Sequence, residues 1–422
     1  MHVRSHAAWV AAWLTLAACG TQATPPESHA LDPAPDTSLS AHGVSFNANQ
    51  LRALARLTPL GPPPADPTNR WADDPAAAQF GQFLFFEPGL SANGKVSCAS
   101  CHPPEHGFSG EVALAEGLEL GTRHAPSILG AGHQRWLGWG GRWDSLWFQA
   151  LGPLENPAEM GTTRGQVIEF LRADERLSAA FSQLFGPLPE LSDEPGVERA
   201  FAQVGKAIAA YERRLNRADA PFDRFAAALL QRAGSDPADL QLLSAEATRG
   251  LSIFLGRGRC VLCHAGPNFS DGEFHNTGVP PGPAGSLDDP GRHQGAPLVR
   301  DSIFNAAGAH SDEREGTAAL RVRGLRTGSE TWGEFRTPSL RNLAARGPFM
   351  HQGQLTTLAD VVLFYDTLEG SVGRSHHQEL ILVPLELGAQ GRADLLAFLQ
   401  SLEGLPLDPA LIQAPADPLL AR

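Results

Sequence analysis

Apolar residues recur at i, i+3 and i+4 spacing over Val197 to Leu215, Ala220 to Arg232, Ser244 to Phe254, Leu358 to Leu368 and Arg392 to Leu402. Each stretch predicts an amphipathic helix. Pro and Gly clusters at 185–196, 278–296 and 403–409 punctuate them. From about 272 to 330 the chain reads as a polar loop, long enough to be functional or to serve as packing between domains. Two short patterns occur twice. Gly81 to Phe85 is echoed by Gly250 to Phe254, and Gly107-Phe108-Ser109-Gly110 by Asn268-Phe269-Ser270-Asp271-Gly272. The expectation is a mostly α protein of two tandem repeats, divided near residue 235 in Ala233-Gly234-Ser235-Asp236-Pro237.

The ends read differently. His2, Arg4 and His6 precede an apolar run from Ala7 to Ala18, too short for a mature membrane span, so residues 1–18 are expected to be a signal peptide. Leu16-Ala17-Ala18-Cys19-Gly20 resembles the bacterial lipobox, in which the cysteine is acylated. A plain secretory signal with a stray cysteine is the alternative. Residues 19–50, rich in Pro, Ala, Ser and Thr, are expected to be a flexible tether, and 416–422 a loose tail. The protein is therefore expected in the periplasm, anchored to the membrane only through a lipid at Cys19.

Composition narrows the class. With 422 residues, 42% hydrophobic and 19% charged, the chain is neither disordered nor fibrous. Its net charge of −13 argues against nucleic acid as a partner. The five cysteines form no disulfide framework: Cys19 stands alone, and Cys98, Cys101, Cys260 and Cys263 make two C-x-x-C pairs. Both pairs are followed by His, as Cys98-Ala99-Ser100-Cys101-His102 and Cys260-Val261-Leu262-Cys263-His264. C-x-x-C-H is the attachment signature of c-type haem. Two thiols one turn apart can bond the two vinyl groups of one porphyrin, and the adjacent imidazole can bind its iron. A zinc site or a thioredoxin-like pair would not need His at the same offset twice. The domains expected are then 51–235 and 236–415, each cytochrome c-like and each holding one covalently bound haem.

Two haems allow peroxide chemistry or electron transfer alone, depending on what occupies the sixth position of each iron. Candidates for a soft or phenolic ligand are few: the Met residues after position 19 are Met160 and Met350, and the Tyr residues are Tyr211 and Tyr365. Trp136, Trp139, Trp143 and Trp147 cluster just before Gln149 and read by default as aromatic core, with Trp136 and Trp139 preceding the helix because of Gly138, Gly140 and Gly141.

Around these residues the chain resembles the bacterial dihaem cytochrome c peroxidase family, and within it the MauG-like branch. The matching stretches include Val96 to His102, Arg123-His124-Ala125-Pro126-Ser127, Trp139-Gly140-Gly141-Arg142, Glu155 to Gly161, Cys260 to Asp271, Arg336 to Asn342, Gly347 to Gly353 and Thr357 to Tyr365. The resemblance implies a peroxidatic N-terminal haem and a low-spin C-terminal haem, with His102 and His264 as axial ligands. It implies Glu159 as the distal carboxylate, Gln149 as the distal amide and Trp139 as the residue between the haems. A carboxylate in a dry pocket can take a proton from bound hydrogen peroxide and return it to the departing oxygen. A helix-terminal or surface Glu is the plainer reading of Glu159. Tyr365 stands where ordinary members have Met and the MauG-like branch has Tyr; a core Tyr is the alternative, and Met350 the rival ligand.

Departures from the family matter too. No His lies between Ser109 and Thr122, which implies an N-terminal haem open at rest. His124 stands where the family usually has an Asn associated with a calcium ion between the domains, so calcium is in doubt. His106, His133, His275 and His351 read as ordinary polar or propionate-contacting residues. The expected activity is hydrogen-peroxide-dependent oxidation, with a small cytochrome c, another small redox protein or side chains of a protein substrate as reductant. Asp144-Ser145-Leu146-Trp147 looks like the methanobactin-associated tryptophan oxidases, which favours the protein substrate. A dihaem electron-transfer lipoprotein without turnover is the alternative.

Overall fold

A computed structural model describes residues 39–283, 289–344, 346–373 and 378–418. The signal peptide, Cys19 and most of the expected tether lie outside the described residues, as do 419–422 of the tail. The tether expected to reach residue 50 is replaced from 39 onward by a two-stranded hairpin, β1 (Leu39–Ala41) and β2 (Val44–Phe46), and by helix α1 (Ala48–Arg56), which Asn47 and Gln50 close with a capping box.

Helices follow as α2 (Pro75–Phe86), the single turn α3 (Cys98–Cys101), α4 (Leu146–Glu155), α5 (Arg164–Ala173), α6 (Glu175–Phe185), α7 (Glu194–Glu212), α8 (Pro221–Leu229) and α9 (Ala245–Leu255). Then come α10 (Arg292–Arg300), α11 (Thr317–Arg323), α12 (Leu358–Thr367) and α13 (Gly388–Gln400). The five stretches with helical periodicity correspond to α7, α8, α9, α12 and α13. Three of the others lack a polar stripe or carry a breaker. Pro75-Ala-Ala-Ala-Gln-Phe-Gly-Gln-Phe-Leu-Phe-Phe86 is buried on nearly every side, and α4 and α10 contain Pro153 and Pro297.

Two apolar cores organise these elements. In the first, α2, α4, α5, α6 and α7 pack around Phe80, Trp147, Phe181 and Phe201. In the second, α1, α8, α9 and α13 pack around Phe222, Phe254, Phe269 and Phe398. Two segments on the N-terminal side of residue 235, the hairpin with α1 and all of α8, lie in the second core, while Leu411 returns to the first. The hairpin and α1 do so because Phe46, Leu54 and Leu57 put their apolar face against Leu251 and its neighbours.

The segment expected as a polar loop contains β3 (Phe274–His275), α10 and α11, and β3 pairs with β4 (Phe335–Arg336). It packs back on the first half. A Cβ on Gly140 would stand 2.5 Å from the Gly291 carbonyl oxygen, so only glycine permits this approach. Lys206 of α7 reaches Asp312 at 2.7 Å, and the Ala306 N–H donates to Asp144 at 2.8 Å.

Candidate active site

Each C-x-x-C-H segment makes one tight turn. Cys98 O accepts the N–H of His102 and Cys260 O that of His264, both at 2.9 Å. The two cysteines of each pair are unbridged. Burial raises the thiols of Cys98, Cys101 and Cys260, the last to about 12, which disfavours thiolate chemistry at these positions. The pairs also lie in different cores, Cys98 against the first and Cys260 against the second, so they form no joint four-sulfur site.

The histidines are held alike. His102 Nδ1 lies 3.0 Å from the Phe108 carbonyl oxygen, and His264 Nδ1 lies 2.9 Å from that of Phe269. Nδ1 donating to the backbone leaves Nε2 as the lone-pair nitrogen. Phe108 and Phe269 are both fully buried and both left-handed, with φ of 54° and 50°. The carbonyls of Pro126 and Pro338 face the same imidazoles, and burial lowers the basicity of both rings.

The surroundings differ. Beside the first motif, Asn156-Pro157 ends α4, and Asn156 Oδ1 accepts the Ala158 N–H in an Asx turn. That turn presents Glu159, whose carboxylate accepts from Asn156 Nδ2 at 2.6 Å and from Arg142 at 3.4 Å. Its side chain keeps 31% of its exposure. Glu159 lies outside any helix N-terminus and is half-buried, and its charge is felt at both Cys98 and Cys101. The Arg142 guanidinium stacks on Trp143 at 4.0 Å. Gln149, half-buried on α4, makes no side-chain hydrogen bond among the described residues. The four clustered tryptophans are all buried, and only Trp147 lies on α4, so Trp143 precedes the helix as well.

Beside the second motif lies a cavity of about 250 Å³ lined by Cys260, Cys263, His264, Trp139, Met350 and Tyr365, among others. Tyr365 and the rival Met350 thus reach the same space. Burial pushes the Tyr365 phenol up to about 12, against a hydrogen bond with Thr277. Trp139 joins the two halves. Its Nε1–H donates to His124 O at 2.9 Å, and its own carbonyl accepts the Arg336 N–H at 2.8 Å. His124 is buried, with Nδ1 3.0 Å from Val112 O and Nε2 3.2 Å from Ser109 Oγ.

Several groups escaped the sequence reading. Arg336 Nε and Arg346 Nε and Nη2 are buried without a partner, and both arginines line the second cavity, with Arg346 also standing over Gly107 beside the first motif. Unpaired buried guanidinium groups are costly, so anionic groups are expected there. The carboxylates of haem meet that need, and the donor set as a whole fits the cofactor. His275 is gripped by Asp271 at 2.9 Å and Glu379 at 2.6 Å; Asp271 first, then Cys263 and Glu379, favour its protonated imidazole, up to about 11. The repeated Phe-Ser after each motif was the one visible sign of the histidine tethers. Apolar residues next to the cavity are open to solvent: Leu262, between the lining Cys260 and Cys263, is 58% exposed, and Leu380, 92% exposed, precedes Ile381, which lines the cavity with Val383.

Comparison with known proteins gives a consistent picture. Residues 75–229 match the sequence profile of the family described as di-haem cytochrome c peroxidase. The chain is 33% identical over 343 residues to methylamine utilization protein MauG of Methylorubrum extorquens, covering 81% of this chain and 82% of that protein. It is 32% identical over 381 residues to cytochrome-c peroxidase IdrP1 of Denitromonas iodatirespirans, covering 86% and 91%. Among solved structures, a MauG-like protein associated with microbial copper homeostasis superposes with a TM-score of 0.60 at 27% identity, over 84% of this chain and 95% of that one.

Proposed function

The chain belongs to the di-haem cytochrome c peroxidase family, and from that premise we propose a hydrogen-peroxide-dependent oxidoreductase in which the two motifs have different tasks. Cys98, Cys101 and His102 would hold the haem at which peroxide reacts, and Cys260, Cys263 and His264 a second haem that exchanges electrons with it. When bound, such a haem supplies an iron that binds peroxide or passes electrons.

The observation that carries this assignment is the asymmetry around two otherwise matching histidine tethers. The first motif has Glu159 beside it, fixed by Asn156 and Arg142. The second has a phenol and a thioether in its cavity. Glu159 would hold and return a proton at its carboxylate, and Gln149 would hydrogen-bond an oxygen of the peroxide. Trp139, fixed at its N–H by His124 and at its carbonyl by Arg336, is the aromatic group between the halves. Tyr365 is the favoured second ligand of the C-terminal haem.

A calcium ion between the halves has less support, because both ring nitrogens of His124 are engaged by Val112 and Ser109. The reductant is a redox protein or a protein substrate that meets the exposed Leu262 and Leu380. The Asp144 to Trp147 resemblance favours a protein substrate. Export and lipid anchoring at Cys19 rest on the first twenty residues alone; among the described residues no helix is long and apolar enough to cross a membrane.

Electron paramagnetic resonance on the purified haem-loaded protein, with peroxide consumption followed in parallel, tests the proposal. Mixed high-spin and low-spin ferric signals with rapid peroxide consumption are expected. Low-spin signals alone, with no consumption, would replace the enzyme by an electron-transfer lipoprotein.

A further inference from the structure

Glu212 is the last residue of α7 and is only 4% exposed. Its Oε2 is buried with no hydrogen-bond partner, and no ion pair reaches its side chain among the described residues. An unpaired carboxyl in such surroundings is expensive to ionise, and the negative end of a helix dipole adds to that cost. Burial pushes the carboxyl up to about 8.

Its neighbours leave it alone. Helix α2, packed along α7, contains no ionisable residue. In α4 the ionisable residue is Glu155, bonded to Arg164 of α5, which in turn bonds Glu198. Glu198 is fourteen residues before Glu212, about 21 Å along the helix axis. Glu169 and Arg172 of α5 are exposed. Arg213 turns to Asp73 and the Pro64 carbonyl, and Arg214 is exposed. What does feel the Glu212 charge is Cys98, where it outranks Glu159, and Tyr211, whose hydroxyl is spent on Leu411 O.

We propose that Glu212 is a redox-linked proton-exchanging group of the first haem site, neutral while that site carries the smaller positive charge and ionised when oxidation adds to it. The inference rests on the reading that a haem is attached at Cys98. In a low-dielectric core, one positive charge gained nearby favours the carboxylate, and one lost favours the acid. The balance is simple: the site loses one electron to its oxidant while the Glu212 carboxyl releases one proton to solvent, and reduction takes both back. The change of charge next to Cys98 is then compensated locally, where α2 offers no ionisable group, Lys206 of α7 is bonded to Asp312, and Glu159 is bonded to Asn156 and Arg142.

Potentiometric titration of the haem-loaded protein, from about pH 6 to about pH 9, tests this. The potential of the first haem should fall as pH rises in the wild type and become independent of pH in Glu212→Gln, while the second haem behaves the same in both. An equal slope in both proteins would overturn the proposal. Should Glu212→Gln fail to fold, the redox-difference infrared spectrum of the wild type decides: oxidation should remove the carbonyl stretch of one protonated carboxyl, and its absence would overturn the proposal. Neither measurement uses peroxide. A protein that ignores peroxide but keeps the Glu212-dependent slope refutes the peroxidase reading alone, and one that turns over peroxide without that slope refutes the Glu212 assignment alone.

Discussion

The Phe108 carbonyl oxygen lies 3.0 Å from His102 Nδ1, and it is aimed there by a buried phenylalanine held at a φ of 54°. A non-glycine residue in the left-handed region carries strain, which the surrounding packing must overcome. Phe269 repeats the arrangement with His264 at a φ of 50°. The side chain locks the turn into the core, and the turn delivers the carbonyl to the imidazole.

Truncating the anchor should release both. Phe108→Ala and Phe269→Ala are expected to cost about 3–5 kcal/mol each in denaturant unfolding of the haem-loaded protein. Each should alter the spectrum of its own haem and leave the other unchanged. A loss below about 1 kcal/mol, or a spectral change at the other haem, would mean that the turn does not hold the histidine.

Much of this site could be read from the sequence because its chemistry is local. Two C-x-x-C-H motifs fix four cysteines and two histidines by spacing alone, and α7, α9 and α13 show their apolar stripes openly. Helix α2 was invisible because it is apolar on nearly every side, so it has no period to detect. The left-handed turns at Phe108 and Phe269 were visible only as an unexplained repeat, since nothing in a phenylalanine announces a positive φ. Arg336, Arg346 and Glu212 were beyond reach for another reason: what sets them apart is a buried polar atom without a partner, which is a property of the folded surroundings.

Glu159 is bonded to Asn156 at 2.6 Å within a turn that α4 and Pro157 define. Glu159→Gln keeps the shape and removes the exchangeable proton. Peroxide consumption should slow by about 10²–10⁴-fold with both haems still bound. Asn156→Ala should slow it less, about tenfold, by loosening the carboxylate. Stopped-flow rates equal to wild type in Glu159→Gln would take this residue out of the mechanism.

Tyr365 and Met350 line one cavity with His264, so single substitutions can separate them. Tyr365→Phe deletes one oxygen from a buried phenol and should convert the second haem from low spin to high spin, whereas Met350→Leu should leave it low spin. The reverse pattern in electron paramagnetic resonance would assign the ligand to Met350.

Leu262 lies within the second motif and Leu380 precedes the cavity-lining Ile381, and both are exposed, so the proposed protein reductant is expected to meet them. Leu262→Asp or Leu380→Asp should raise the KM for a protein reductant about tenfold while leaving turnover with a small soluble reductant unchanged. An equal loss with both reductants would point to damage at the haem rather than at a docking face.

Asp144 is buried just before α4, with Oδ2 accepting the Ala306 N–H at 2.8 Å and Oδ1 without a partner. Burial raises its carboxyl from the ordinary 3.8 to about 6. The folded protein therefore holds this proton more tightly than the unfolded chain does. Its contribution to stability is complete below about pH 4 and is lost as pH rises through about 6, by about 3 kcal/mol in total. Asp144→Asn cannot ionise, so its unfolding free energy should depend less on pH between about 4 and about 7. Parallel pH profiles for the two proteins would show that Asp144 ionises as freely in the fold as in the open chain. Because Asp144 ties residue 306 to the start of the helix that carries Gln149, the same pH range should also tighten that one bond in the wild type. Hydrogen exchange at the Ala306 amide should slow relative to its intrinsic rate as the carboxylate forms and strengthens this bond, even while the fold as a whole loses stability. The two readouts move in opposite directions only if the cost of the buried charge falls on Asp144 itself and not on the loop it holds, so faster exchange at higher pH would place the strain in the loop.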